Sequence, residues 1–303
     1  MVFYVKDPIQ EVFFLKFSDI NIRDPFVVLH EGKYYMYGTR GATCWGRARG
    51  VDVYVSDDLE TWSDPIEVFS APEGYFHNMW APEVHLYKGN FYMFMTLKPG
   101  ANHPDPERKM GTYILRADAP DGKFTLHSER AITPADWHCL DGTLYVENGK
   151  PYMVFCHEWT QVHDGEICAI PMKDDLTAAD GEAVLLFKAS QPKWNTGLGN
   201  DGVNFVTDGP FFYRTSQNRL VMIWSSVVGE NYCEAMAYSS DNTLMGKWTN
   251  DERLLFEKDG GHGMIFRDND GKLLFICHQP NDTPNERPVL FELAEENDSF
   301  RVK

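Results

Sequence analysis

"DPFVVLHEGKYYMYGTR", residues 24–40, carries the pattern that decides the fold. An acidic residue leads a short apolar strand, Glu-Gly makes a polar turn, and an aromatic-rich second strand follows. Short runs of β-branched and aromatic residues joined through a two-residue Gly-containing turn read as a β-hairpin. The pattern returns in "PEVHLYKGNFYMFMTL" from Pro82, "DGTLYVENGKPYMVFCHEW" from Asp141, "DGPFFYRTSQNRLVMIWSS" from Asp208 and "HGMIFRDNDGKLLFICHQ" from His262. Taken as leaders, Asp24, Glu83, Asp141, Asp208 and His262 lie 59, 58, 67 and 54 residues apart.

A second element repeats between the leaders. "VDVYVSDDLETW" (51–62), "GTYILRADAPDGKF" (111–124), "EICAIPMKDDL" (166–176) and "CEAMAYSSDNTLMGKW" (233–248) each give a strand, an Asp-rich turn and an apolar closer. Two hairpin-like halves per unit predict a four-stranded antiparallel sheet, and five such sheets predict an all-β, five-bladed β-propeller around a central channel. A pair of β-sandwiches is the alternative, but sandwiches seldom give five units of such even length. Convincing helical periodicity is absent. The whole chain, 1–303, reads as one propeller domain. Its fifth unit is short and is expected to end near "VLFEL", so the N-terminal strand around "EVFFLKF" (11–17) is expected to complete the last sheet.

At 43% hydrophobic residues the 303-residue chain has ample core. Its 28 basic and 45 acidic residues give a net charge of −17, which excludes nucleic acid and anionic membrane as natural partners and suits a neutral ligand or a cation. The six cysteines sit mostly inside apolar runs such as "YMVFCHEW", without CxxC spacing, and read as buried free thiols. The N-terminus lacks a basic region followed by a long apolar stretch, so a cytoplasmic location is expected.

Propeller geometry changes the meaning of the leaders. Innermost strands line the channel, so residues at their entrances converge on one pocket. Three aspartates around a pocket for a neutral ligand suggest glycoside hydrolysis. One carboxylic acid protonates the leaving oxygen, an opposite carboxylate activates water, and a third tunes the acid. Each aspartate alone also reads as an ordinary turn residue before Pro or Gly.

"NIRDPFVVLHEGKYYMYGT", "HNMWAPEVHLYKGNFYMFMT", "CLDGTLYVENGKPYMVF" and "GGHGMIFRDNDGKLLF" resemble, in order and spacing, the successive blade motifs of glycoside hydrolase family 43. "VYVSDDLETW" is similar to that family's Ser-x-Asp-Leu-x-x-Trp segment, and the likeness runs from about residue 20 to 280. The resemblance implies inverting hydrolysis of a terminal α-L-arabinofuranosyl, β-D-xylosyl or β-D-galactofuranosyl unit in a plant or microbial oligosaccharide. It assigns Asp24 as general base, Asp141 as pKa modulator and the residue at Asp208 as general acid. The family's acid is usually Glu in a Glu-Gly-Pro context; Asp208 is one methylene shorter, and a misplacement of about 1 Å can cost on the order of a hundredfold in rate. Three readings follow: Asp208 acts with an inward-shifted backbone, Glu158 in "CHEW" supplies the acid, or the site binds sugar without efficient catalysis.

The same resemblance places His262 beside a hydrated metal, often calcium, at the propeller axis; a histidine hydrogen-bonded within the channel is the other reading. No further cofactor is implied. Trp80 and Trp159 are placed to stack on a sugar ring or to pack the propeller. Arg287 in "NERP" is placed to bind sugar hydroxyls, to pair with a catalytic carboxylate, or to form a surface ion pair. Glu83 reads as a structural carboxylate.

Overall fold

The computed structural model of the chain describes residues 14–46 and 49–303. Among them twenty strands form five four-stranded antiparallel meanders, blades 1 to 5, which make a five-bladed β-propeller. The inner strands are Ile22–His30, Phe76–Tyr87, Cys139–Glu147, Asp208–Arg214 and Gly261–Arg267. The second strands are Lys33–Arg40, Asn90–Pro99, Lys150–His157, Leu220–Val228 and Leu273–Gln279. In blades 1 to 3 the inner hairpins turn on Glu31-Gly32, Lys88-Gly89 and Asn148-Gly149, every one of these residues at positive φ, as a two-residue type I′ turn requires. Among the described residues no helix is long and apolar enough to cross a membrane.

The apolar runs are continuous because each blade is covered on both faces. Successive side chains of a strand point to opposite faces. Phe91, Met93, Met95 and Leu97 therefore pack with Tyr35, Tyr37 and Val53 of blade 1, while Tyr92 and Phe94 pack with Met153 and Phe155 of blade 3. Likewise Leu220, Met222 and Trp224 face blade 3, and Val221 and Ile223 face blade 5. Five apolar clusters result, one at each junction between neighbouring blades. All six cysteines are buried free thiols, as their setting in apolar runs predicts.

The expected completion of blade 5 is overturned. Its third strand runs Arg287–Glu296, past "VLFEL", and turns back into a fourth strand, Ser299–Val302. Asn297 and Asp298 both take positive φ, so Asn-Asp makes the tight turn that returns the chain. Of the proposed strand 11–17, residues 11–13 lie outside the described residues. Leu15 bridges Trp62 on blade 1 through reciprocal backbone hydrogen bonds of 2.8 and 2.9 Å.

The junction of blades 1 and 5 has polar ties besides its apolar cluster. Arg23 Nη1 donates to Glu286 Oε1 at 2.6 Å, and Asn21 Nδ2 donates to the carbonyls of Pro284 and Glu286 at 2.8 and 3.0 Å. The Glu286 side chain is fully buried and that of Arg23 is 12% exposed. Breaking a buried pair from one side leaves an uncompensated charge. Glu286→Gln should therefore lower the unfolding free energy by about 3 kcal/mol in urea titration; a loss under about 1 kcal/mol would mean that apolar packing alone holds this junction.

Candidate active site

Each inner strand breaks register with its second strand at the same place, two residues opposing one. The bulged pairs are Asp24-Pro25, Ala81-Pro82, Asp141-Gly142, Gly209-Pro210 and His262-Gly263. The first residue of every pair has positive φ: 53°, 46°, 55°, 48° and 50° respectively. Four of these five are not glycine, a conformation disfavoured for side-chain-bearing residues and found where surroundings over-determine it. The surroundings here are hydrogen bonds from the preceding blade to the unpaired bulge N–H. Asp24 N donates to His278 Nδ1 (3.2 Å), Ala81 N to Thr39 Oγ1 (2.7 Å), Asp141 N to Thr96 Oγ1 (2.8 Å) and His262 N to Ser225 Oγ (2.6 Å).

The bulges sort the leaders into two ranks and correct the expectation that all five are equivalent. Asp24, Asp141 and His262 are bulge residues. In blade 2 the bulge residue is Ala81; Glu83 lies two residues further on, buried at 5% exposure, 3.2 Å from His85 Nε2 and outside the cavity lining. In blade 4 the bulge residue is Gly209, and Asp208 precedes it. Asp208 is thus equivalent to Arg23, Trp80, Leu140 and Gly261, which pair with the second strand just before each bulge.

The bulge-rank side chains form a compact charged group. His262 Nδ1 lies 3.3 Å from Asp24 Oδ1 and 3.8 Å from Asp141 Oδ2. Thr39 Oγ1 donates to Asp24 Oδ2 at 2.6 Å, and Gly209 N donates to Asp141 Oδ2 at 3.1 Å. Burial pushes the Asp24 carboxyl up, but His262, Arg23, His278 and the Thr39 hydroxyl outweigh it and hold Asp24 below the ordinary range, ionised. For Asp141 burial wins: with Asp208 and Asp24 adding repulsion, its pKa rises to about 8 against the pull of His262 and the Gly209 amide. Burial also raises Asp208, opposed by His262 and by Tyr232 Oη, which donates to Asp208 Oδ2 at 3.0 Å. An ionised carboxylate thus stands in one cluster with two carboxyl groups that hold protons readily.

These groups line a cavity of about 420 Å³, and Glu158, Trp80 and Trp159 line it too. Glu158 caps the helical turn Trp159–Val162; its Oε2 accepts from Thr160 N at 2.9 Å and from the Thr160 hydroxyl, and burial raises its pKa. Arg287 does not join them. Its guanidinium donates to the carbonyls of Ser18, Pro284 and Glu286 and ties blade 5 to the chain before blade 1. The arginine in the cavity wall is Arg23, with Trp45, Lys98, His138 and Tyr232 as further lining residues that sequence reasoning missed. Arg23 was findable as the neighbour of Asp24; Tyr232 carries no local signal, because it reaches Asp208 from the third strand of blade 4.

The protein side chains here supply too few ligands for calcium, so a hydrated ion beside His262 would be held mostly through water. Among the described residues no three or more His, Cys, Asp or Glu side chains are grouped to hold a metal ion. His262 Nε2 is buried without a partner, and one imidazole nitrogen does not supply the roughly six to eight oxygens that Ca²⁺ takes. Burial pulls the His262 pKa down, yet Asp24, Asp141, Asp208 and Glu83 together raise it to about 9. Protonated His262 places positive charge beside Asp24 and Asp141.

A further buried acid stands behind the site. Glu234, fully buried in blade 4, accepts from Ser225 Oγ at 2.8 Å and Gly263 N at 3.0 Å, and burial raises its pKa to about 8. Folded Glu234 and His262 thus hold protons to about pH 8 and 9, whereas their ordinary values are 4.5 and 6.5. The folded state binds more protons than the unfolded one between pH 6.5 and 8, so stability falls as pH rises through that window. Glu234→Gln removes one titrating group and should make the slope of unfolding free energy against pH shallower by about 1 kcal/mol per pH unit. An unchanged slope in urea titrations at pH 6.5 and 8 would show that Glu234 does not titrate there.

Comparison with known proteins agrees with this geometry. Residues 18–294 match the family described as Glycosyl hydrolases family 43. The solved endo-arabinase from Bacteroides thetaiotaomicron VPI-5482 is 36% identical, with a TM-score of 0.85 over 96% of this chain and 100% of that one. An endo-1,4-beta-xylanase from the same organism (24% identity, TM-score 0.76, 97% of both chains) shares the fold. So does an exo-1,5-alpha-L-arabinanase from a bovine ruminal metagenomic library (16% identity, TM-score 0.69, 96% of this chain and 99% of that one). The comparison with curated protein sequences finds no match. The chain belongs to glycoside hydrolase family 43 and is an enzyme acting on O-glycosyl bonds of carbohydrates.

Proposed function

We propose that the enzyme is an inverting exo-hydrolase that releases terminal α-L-arabinofuranosyl units, with β-D-xylosyl and β-D-galactofuranosyl ends as the competing substrates. The observation that carries this is the cluster of Asp24, Asp141, Asp208 and His262 lining one cavity together with Trp80 and Trp159. The arabinose preference is supported by the 36% identity to an endo-arabinase. The exo mode is supported by a cavity of about 420 Å³, in the range of small-ligand sites, which suits a chain end better than a long run of sugars.

In this mechanism water attacks the anomeric carbon from the Asp24 side, and Asp24 takes its proton. The C–O bond to the leaving sugar breaks as Asp208 gives its proton to the glycosidic oxygen. The products are a free sugar of inverted configuration and the shortened chain. Asp24, held ionised, suits the base; Asp208, raised by burial, suits the acid. Asp141 contributes like-charge repulsion that favours retention of the pair's proton, and the His262 imidazolium orients Asp24 and Asp141. What supports Asp208 over Glu158 is its place in the electrostatic cluster of Asp24, Asp141 and His262.

Asp24→Asn should abolish turnover of aryl glycosides while the fold persists. Asp208→Asn should lose about a hundredfold or more on a poor leaving group and recover on a very good one, because protonation of the leaving oxygen is then dispensable. The same pattern in Glu158→Gln, with Asp208→Asn unaffected, would transfer the role to Glu158. The anomer released, followed by NMR, tests inversion. Linear arabino-oligosaccharides should yield arabinose alone from the first time point; early di- and trisaccharides would overturn the exo mode.

A further inference from the structure

The second strands of the blades carry Thr39, Thr96, Cys156, Ser225 and His278 at one register position, each opposite the residue that precedes its own blade's bulge. Four of the five accept the bulge N–H of the next blade around the ring, at 2.6 to 3.2 Å. The fifth is Cys156, fully buried in blade 3 beside Thr207 and within electrostatic reach of Asp141 and Asp208. A thiol is a weak acceptor. The N–H that this position would serve belongs to Gly209, and that N–H donates instead to Asp141 Oδ2 at 3.1 Å. The one interruption in the ring of acceptors therefore falls between Asp141 and Asp208, and the displaced donor is the peptide directly after Asp208.

We propose that Cys156 is a positioning residue: by offering no strong acceptor, it leaves the Gly209 N–H to Asp141 and so tethers that carboxylate to the peptide carrying Asp208. The inference rests on the roles given above to Asp141 and Asp208. A hydrogen bond from a backbone N–H favours the ionised carboxylate. The tether thus biases the proton of the coupled pair toward Asp208, where protonation of a leaving oxygen needs it. The other groups acting on Asp141 are His262 at 3.8 Å, Thr96, and the Asp24 and Asp208 carboxyls. A hydroxyl at position 156 would take the Gly209 N–H as Thr39, Thr96 and Ser225 take theirs. Asp141 would then lose the donor and compete for the proton.

The test compares Cys156→Ser and Cys156→Ala on whichever aryl arabinofuranoside, xyloside or galactofuranoside the wild type turns over. Neither variant touches the cavity, and Cys156→Thr, the residue found at positions 39 and 96, replaces Ser if that variant fails to fold. The hydroxyl variant should lose about tenfold in kcat with KM within about twofold, and the alanine variant should stay within about threefold of wild type. The alkaline limb of the kcat profile should also move to higher pH in the hydroxyl variant alone. A proton drawn to Asp141 is held more tightly by the pair yet is less available to the leaving group, whereas a merely structural disturbance lowers kcat without moving that limb upward. Equal behaviour of the hydroxyl and alanine variants overturns the inference. Wild-type turnover in both Asp141→Asn and Asp208→Asn overturns the assigned roles and the inference with them. Loss in those two with coincident Cys156 variants overturns the inference alone.

Discussion

The bulge at the channel end of each inner strand is the constraint on which the site depends. Two residues opposing one leave a backbone N–H without a ladder partner, and a buried N–H left unpaired costs free energy comparable to a lost hydrogen bond. Positive φ at the first bulge residue adds steric strain wherever that residue is not glycine. In four blades the N–H is satisfied from outside, by a hydroxyl or imidazole of the preceding blade, and in blade 4 by the Asp141 carboxylate. The bulge residue of each blade is therefore held in place by the neighbouring blade. Asp141 is positioned by blade 2 through Thr96, Asp24 by blade 5 through His278, and His262 by blade 4 through Ser225. The chemistry belongs to the ring rather than to any one of its units.

The same arrangement governs the charge. Asp24, Asp141 and Asp208 cannot all be ionised in a buried cluster without relief, because like charges at low dielectric repel strongly. The His262 imidazolium relieves two of them, and Arg23 helps to hold Asp24 ionised. What remains is one proton affinity too many, expressed as the raised pKa values of Asp141 and Asp208. A site with an ionised carboxylate and a coupled pair that retains a proton has the two protonation states that acid–base hydrolysis requires.

Much of this was legible in the sequence, and the reasons for the failures are physical. Hairpin patterning gave the blades, because double-sided burial leaves apolar runs that only turns interrupt. Asp24, Asp141 and His262 share a rank that their motifs display openly. Glu83 and Asp208 do not, because a displacement of one or two residues around a bulge leaves the apolar pattern unchanged while altering which side chain faces the channel. The fourth strand of blade 5 was missed because Asn297-Asp298 was not read as a turn at positive φ. Arg287 was placed by its distance along the chain from the last inner strand, and distance along the chain does not report direction. Tyr232 and Glu234 come from the third strand of blade 4 and meet the site only through the sheet ladder, which no local motif encodes.

Closure of the ring adds a last constraint. Among the described residues no strand is shared between the first and last blades, so apolar packing and polar ties must hold that junction. One buried tie, Arg23 to Glu286, uses the residue that precedes Asp24 and lines the cavity. Arg23 Nη2 also donates to Asn281 Oδ1 at 2.8 Å, and its guanidinium lies 5.3 Å from the Trp45 ring centroid. Loosening the junction would move Arg23, and with it a positive charge that keeps Asp24 ionised. Global stability and the protonation of Asp24 are thereby coupled through one side chain. Substitutions of Arg23 and Glu286 should consequently be read in activity and in stability together.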